Sequence, residues 1–122
     1  MRVPILLVSL LMVGTAHADS GDELRSVPPA VLIGKSYAGV GVASEILFIN
    51  ARRAPVRLNW IGFDGVAKFY ALIPPGGEML QATFVSHRWL ITREYGNSPI
   101  EAFIATRADI HSDGQAQLAI IR

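Results

Sequence analysis

Seven short runs rich in β-branched and aromatic residues, alternating with Pro, Gly, Asn and Asp, leave this chain little room for anything but β-strands. The runs are Glu45–Asn50, Val56–Ile61, Lys68–Ile73, Glu78–Phe84, Arg88–Arg93, Ile100–Thr106 and Gln115–Ile121. Between them stand Asn50–Pro55, Asp64-Gly65, Pro74-Pro75-Gly76-Gly77, Tyr95–Pro99 and Asp113-Gly114. Asp-Gly tolerates the positive φ angles of a tight hairpin, and Asp64-Gly65 and Asp113-Gly114 are both read as such turns. Within Val56–Ile61, residues Val56, Leu58 and Trp60 share one face and Arg57 and Asn59 the other. No stretch between the breaks keeps a helical period. Turns recurring every 8–12 residues or so predict an all-β fold, an antiparallel β-sandwich of about seven strands.

The start of the chain reads differently. Arg2, the apolar run Ile5–Val13 and the small-x-small triplet Ala16-His17-Ala18 form a secretory signal peptide over residues 1–18. The apolar run is short of the roughly 20 residues that span a bilayer, so no membrane span is expected after cleavage. An exported protein, periplasmic or secreted, follows. Residues 19–44 are a flexible or extended lead-in around Pro28-Pro29, adding at most one edge strand at Val31–Ser44. Residues 45–122 are the sandwich domain. The chain of 122 residues carries 11 basic and 10 acidic side chains. Losing Arg2 with the signal peptide leaves ten of each, and no basic run points to nucleic acid. Arg52-Arg53 is read as a solvated turn. With no cysteine, an exported domain has no disulfide and depends on burial alone.

Aromatic and polar side chains gather between Leu58 and Leu90: Trp60, Tyr70, Thr83, His87 and Trp89. His87 and Trp89, two apart on an expected strand, share a face. Trp60 and Tyr70 share one only if the Asp64-Gly65 turn has an odd loop or the hairpin carries a bulge, for which Gly62 is a candidate. Buried tryptophan is ordinarily packing, so these residues alone favour a core. Other chemistry is weakly represented. Asp109-x-His111-x-Asp113-Gly114 opens like a calcium loop but has Ile120 where the twelfth, acidic ligand belongs. Ser86 and His87 are adjacent and point apart on a strand, and no paired carboxylates stand out. No metal, no cofactor and no enzymatic activity are expected.

The same stretch resembles the β domain of the von Hippel-Lindau tumour suppressor family. Phe48-x-Asn50, Trp60-x-x-Phe63-Asp64-Gly65, Tyr70, Pro74-Pro75-Gly76 and His87-x-Trp89-Leu90 match it in identity and spacing, without a gap from Ile46 to Leu90. A looser likeness continues to Asp113-Gly114-Gln115. The resemblance implies a seven-stranded sandwich that binds hydroxylated proline in a peptide of the hypoxia-inducible factor. It implies that Trp60, Tyr70 and Trp89 line the ring pocket, with Trp89 beneath the ring. His87, with Thr83, would bond the ring hydroxyl, and Tyr70 would help hold the peptide backbone. Asn50 would organise the loop before the second strand. Asp64, Gly65, Pro74, Pro75 and Gly76 stand as structural turn residues. Departures from the family pattern fall beside the ring site: Thr83 replaces a serine, Phe84 a tyrosine and Ala82 a histidine. No counterpart of the family's helical domain, which recruits a ubiquitin ligase, is expected.

The matched spacing turns the reading from core to pocket. It favours a non-enzymatic exported module that recognises proline- or hydroxyproline-containing peptide. Two rivals use the same residues: a carbohydrate-binding module stacking sugars on the aromatics, and a structural envelope protein in which they are core.

Overall fold

A computed structural model describes residues 23–29, 36, 41–106 and 116–122. Its strands are β1 (Ala43–Asn50), β2 (Val56–Ile61), β3 (Ala67–Ile73), β4 (Glu78–Phe84), β5 (Arg88–Arg93), β6 (Pro99–Ile104) and β7 (Gln117–Ile121). They form two sheets, ordered β4-β1-β7 and β3-β2-β5-β6. β2, β4 and β5 have the expected bounds; β1 starts two residues earlier, at Ala43. The expected signal peptide and most of Val31–Ser44 lie outside the described residues, as do Asp109, His111 and Asp113-Gly114.

The inner faces meet in one core. β1 sends in Ile46 and Phe48, β2 Val56 and Leu58, β5 Trp89 and Ile91, β6 Phe103, and β7 Ala119 and Ile121. Phe48 stands at the centre, its ring 5.9 Å from Trp89 and edge-on to Phe103 at 6.0 Å. Along β1 every second residue is buried, the two-residue period of a strand, although Leu47 and Ile49 on the other face are apolar as well.

Two features depart from expectation. β7 pairs with β1 in parallel, and β6 and β7 belong to different sheets, so the two are not arms of a hairpin around Asp113-Gly114. A local turn signal is silent about which sheet the next strand joins. The lead-in, in turn, is partly built into the fold. Leu24 N–H donates to Leu118 of β7 at 2.6 Å, and Val27 and Ala102 of β6 exchange two backbone bonds at 2.8 and 3.2 Å. Leu24 joins the core, so this extended segment ties the rims of the two sheets together.

Asn50 closes the end of the sandwich opposite the Asp64-Gly65 turn. Fully buried, its amide donates to Ala54 O, Ile73 O and Pro74 O at 2.9–3.1 Å, while its oxygen accepts from Arg52 N–H at 3.0 Å. One side chain thus holds the β1–β2 loop against the β3–β4 turn. That turn is Pro74–Gly77, with Gly77 N–H donating to Pro74 O at 2.9 Å and Gly76 at φ 72°. These are the marks of a type II turn, in which the third position needs positive φ. A Cβ on Gly76 meets nothing within 4 Å, so Gly76→Ala isolates the backbone cost. It is expected to lower unfolding stability by about 1–2 kcal/mol; an unchanged urea midpoint would mean the turn relaxes freely.

Candidate binding site

The aromatic stretch converges on the rim where β2, β3 and β5 of one sheet face β4 of the other. Trp60 on β2 is paired directly across from Trp89 on β5, so the two indoles share a face. Tyr70 is brought to them by the β2–β3 hairpin. Gly62 N–H donates to Val66 O at 2.9 Å, enclosing a loop of three residues, Phe63, Asp64 and Gly65. Gly65 takes φ 81°, a conformation that suits glycine. An odd loop keeps Trp60 and Tyr70 in phase. The bulge sits not at Gly62 but on β3: Leu58 pairs with Ala71 and Asn59 with Phe69, leaving Tyr70 as the extra residue. There it restores Ala71 and Ile73 to the core side while Tyr70 keeps the pocket side.

Asp64 stabilises that loop locally. Its Oδ1 accepts from Val66 N–H at 3.0 Å, and its other oxygen lies 3.4 Å from Lys68 Nζ. The Val66 bond is the main cause that holds the Asp64 carboxyl below its ordinary pKa; desolvation opposes it and the Lys68 ammonium adds to it. A lowered pKa favours the folded hairpin above the usual carboxylate range, and that support is lost as pH falls through the lowered value.

His87 reaches the site by a different route from the one its spacing suggests. β5 begins at Arg88, so His87 stands in the turn before it. His87 N–H donates to Phe84 O at 3.0 Å, and Ser86 takes φ 79°. Ser86 N–H donates to Ala105 O at 2.7 Å, and Ala105 N–H to His87 O at 3.0 Å, so two residues oppose one. This pairing fixes the imidazole with a serine in a backbone region that favours glycine. Ser86→Gly should therefore raise stability by about 0.5–1 kcal/mol, the left-handed penalty less the extra chain entropy of glycine. A thermal melt that falls instead would show the Ser86 side chain holding the turn.

The result is a cleft of about 190 Å³ lined by Trp60, Phe63, Tyr70, Ala82, Thr83, Phe84, His87 and Trp89. All five residues singled out from the sequence line it. Trp89 is its floor, 1% exposed, with Tyr70 edge-on at 5.1 Å. Trp60 is half-buried and Tyr70 is 48% exposed, forming the walls. Thr83 and His87 are both buried. Trp89 Nε1–H donates to Thr83 Oγ1 at 3.0 Å, and Trp60 Nε1–H donates to His87 Nδ1 at 3.2 Å. The Thr83 oxygen already accepts, which leaves its own O–H to donate. Phe63, edge-on to Trp60 at 5.1 Å and 5.6 Å from His87, is a wall that the spacing argument left unassigned. Phe84, 5.3 Å from His87, closes the other side. Phe63's signal lay in its place as the first residue of the hairpin loop, three after Trp60, where a polar residue is the ordinary choice.

The family model of the VHL beta domain matches residues 38–104, more than half of the chain. This chain belongs to the VHL beta domain family. No curated protein matches it. The match takes in the whole cleft and six of the seven strands, β1 to β6. Within this VHL beta domain, every side chain lining the cleft comes from β2, β3, β4, β5 or the turns between them. Among the described residues no helix is long and apolar enough to cross a membrane, and no group of His, Asp and Glu stands together as a metal site.

Proposed function

We propose that the domain is an exported, non-enzymatic module that binds a proline-containing peptide and prefers the 4-hydroxylated ring. The observation that carries this is a small aromatic cleft with two hydrogen-bonding groups at its base, in a chain of the VHL beta domain family. At about 190 Å³ the cleft is below the usual range for a whole small-molecule ligand and suits a single ring presented by a peptide. Trp60, Tyr70 and Trp89 offer flat apolar faces to the pyrrolidine. Its hydroxyl oxygen accepts from Thr83 O–H, and its hydroxyl hydrogen is donated to His87 Nδ1. That second bond displaces Trp60 Nε1–H, which turns to water or to a peptide carbonyl.

The partly exposed walls speak against a purely structural aromatic cluster, since only Trp89 of the two tryptophans is core. Nuclear magnetic resonance separates the peptide and sugar readings. A hydroxyproline peptide is expected to shift both indole N–H signals and the amides of Thr83 and His87, with the Trp60 indole moving most. Soluble oligosaccharides at equal concentration should leave these signals in place. The reverse pattern would transfer the cleft to a glycan. Export rests on the signal peptide over residues 1–18, and the mass of the secreted protein, beginning at Asp19, tests it.

A further inference from the structure

The opposite face of the β3-β2-β5-β6 sheet carries a second cleft, of about 250 Å³, lined by Arg57, Asn59, Ala67, Phe69, Leu90, Thr92 and Asn97. We propose that it binds a carboxylate on a short apolar body, held by the Arg57 guanidinium and the Thr92 hydroxyl.

Charge is the first argument. The Arg57 guanidinium carbon stands over the Phe69 ring, 4.0 Å from its centre, which restrains a cation whose side chain is otherwise flexible. Its Nε is buried and donates to nothing, and among the described residues no carboxylate pairs with the guanidinium. The lining contains no acid at all. A buried donor without an acceptor is a cost that native structures rarely carry without a reason. A carboxylate matches a guanidinium edge in geometry as well as charge, and a small turn of the head group brings Nε to it.

Polar direction is the second. Asn59, 6% exposed, spends its amide on Leu90 O at 3.0 Å and Thr92 Oγ1 at 3.1 Å, with a longer contact to Arg57 O at 3.4 Å. Thr92 Oγ1 is therefore already an acceptor, and its O–H is left to donate. Asn59 acts as a positioning residue for that hydroxyl. Phe69, Leu90 and Ala67 supply apolar walls, so the site suits an aliphatic acid better than a bare inorganic anion. The ordinary alternation along β3 separates the two clefts: Phe69 faces this one and Tyr70 the aromatic one.

The test uses the full mature domain, labelled with ¹⁵N, and titrates it with butyrate, butyramide and inorganic phosphate. Butyrate is expected to move the Arg57 Nε–H signal saturably, and butyramide to leave it in place. Arg57→Leu should abolish the response while the amide spectrum stays folded. Arg57→Lys should weaken it about tenfold, since an ammonium cannot make the two-toothed contact. Thr92→Val, close in shape, should weaken it as well. Equal response to butyramide, response to phosphate alone, or no response to butyrate overturns the assignment. A leucine-terminated peptide with a free carboxylate is then compared with its amide. Tighter binding than butyrate identifies a peptide terminus as the source, and equal binding identifies free small acids. In either case Arg57→Leu leaves the hydroxyproline response of the aromatic cleft intact, so the two sites stand or fall separately.

Discussion

Trp89→Ala is expected to cost about 3–5 kcal/mol, the range for deleting a large buried aromatic. For a small domain whose whole stability is on the order of 5–15 kcal/mol, that leaves a marginal protein. The side chain is 1% exposed and contacts Phe48, Tyr70 and, across the strand pair, Trp60. Its removal opens a cavity between the two sheets. It also strands Thr83, whose oxygen accepts from Trp89 Nε1–H. Trp89→Phe is the informative companion: it keeps most of the packing and removes only the N–H, and should cost roughly half as much or less, consistent with the loss of one buried hydrogen bond. Urea unfolding of both variants measures the difference. A cost below about 1 kcal/mol for the alanine would contradict the placement of Trp89 as both core and cleft floor.

The second large effect concerns selectivity. Thr83→Val replaces a hydroxyl by a methyl of almost the same volume, and His87→Ala removes the acceptor. Each is expected to reduce the preference for hydroxyproline over proline by about 10–100-fold, because each leaves one polar partner of the ring hydroxyl unmet. Together they should erase it. Affinity for the unhydroxylated peptide should change far less, since Trp60, Tyr70 and Trp89 remain. Thr83→Val also leaves the buried Trp89 Nε1–H without its acceptor, so it should destabilise the free domain by about 1–3 kcal/mol. The pairing of a stability loss with a selectivity loss distinguishes Thr83 from a bystander. A variant that loses affinity for both peptides equally would mean the threonine shapes the wall and leaves the hydroxyl unread.

Much of the fold was legible because it is written in local chemistry. The runs from Val56 to Arg93 are rich in β-branched and aromatic residues and are punctuated by Asp64-Gly65 and Pro74–Gly77, turns whose residue types dictate their φ angles. The partners of β7 were not legible, since a parallel pairing with β1 spans most of the domain and leaves no mark on either strand. The cleft was half legible. The spacing of Trp60, Tyr70, Thr83, His87 and Trp89 matched a known pattern, but what brings them together is long-range. The direct pairing of Trp60 with Trp89 depends on the register of β2 against β5, and the Tyr70 bulge on a one-residue mismatch within a hairpin. His87 looked strand-borne from its distance to Trp89. It is in fact held by a turn at Ser86, where a non-glycine residue carries positive φ that sequence gives no reason to expect. The outer cleft was invisible for the same reason: Arg57 and Phe69 are twelve positions apart and meet only through the pairing of β2 with β3.

The most direct measurement is a tryptophan-fluorescence titration of the mature domain, from Asp19, with matched peptides differing only in proline against 4-hydroxyproline. A cleft that reads the hydroxyl through Thr83 and His87 should bind the hydroxylated peptide saturably and reject the other by up to the order of 10⁴, as sites built around a buried hydroxyl do. Equal binding of the two peptides, or no response to either, would contradict a hydroxyproline-reading function for this cleft.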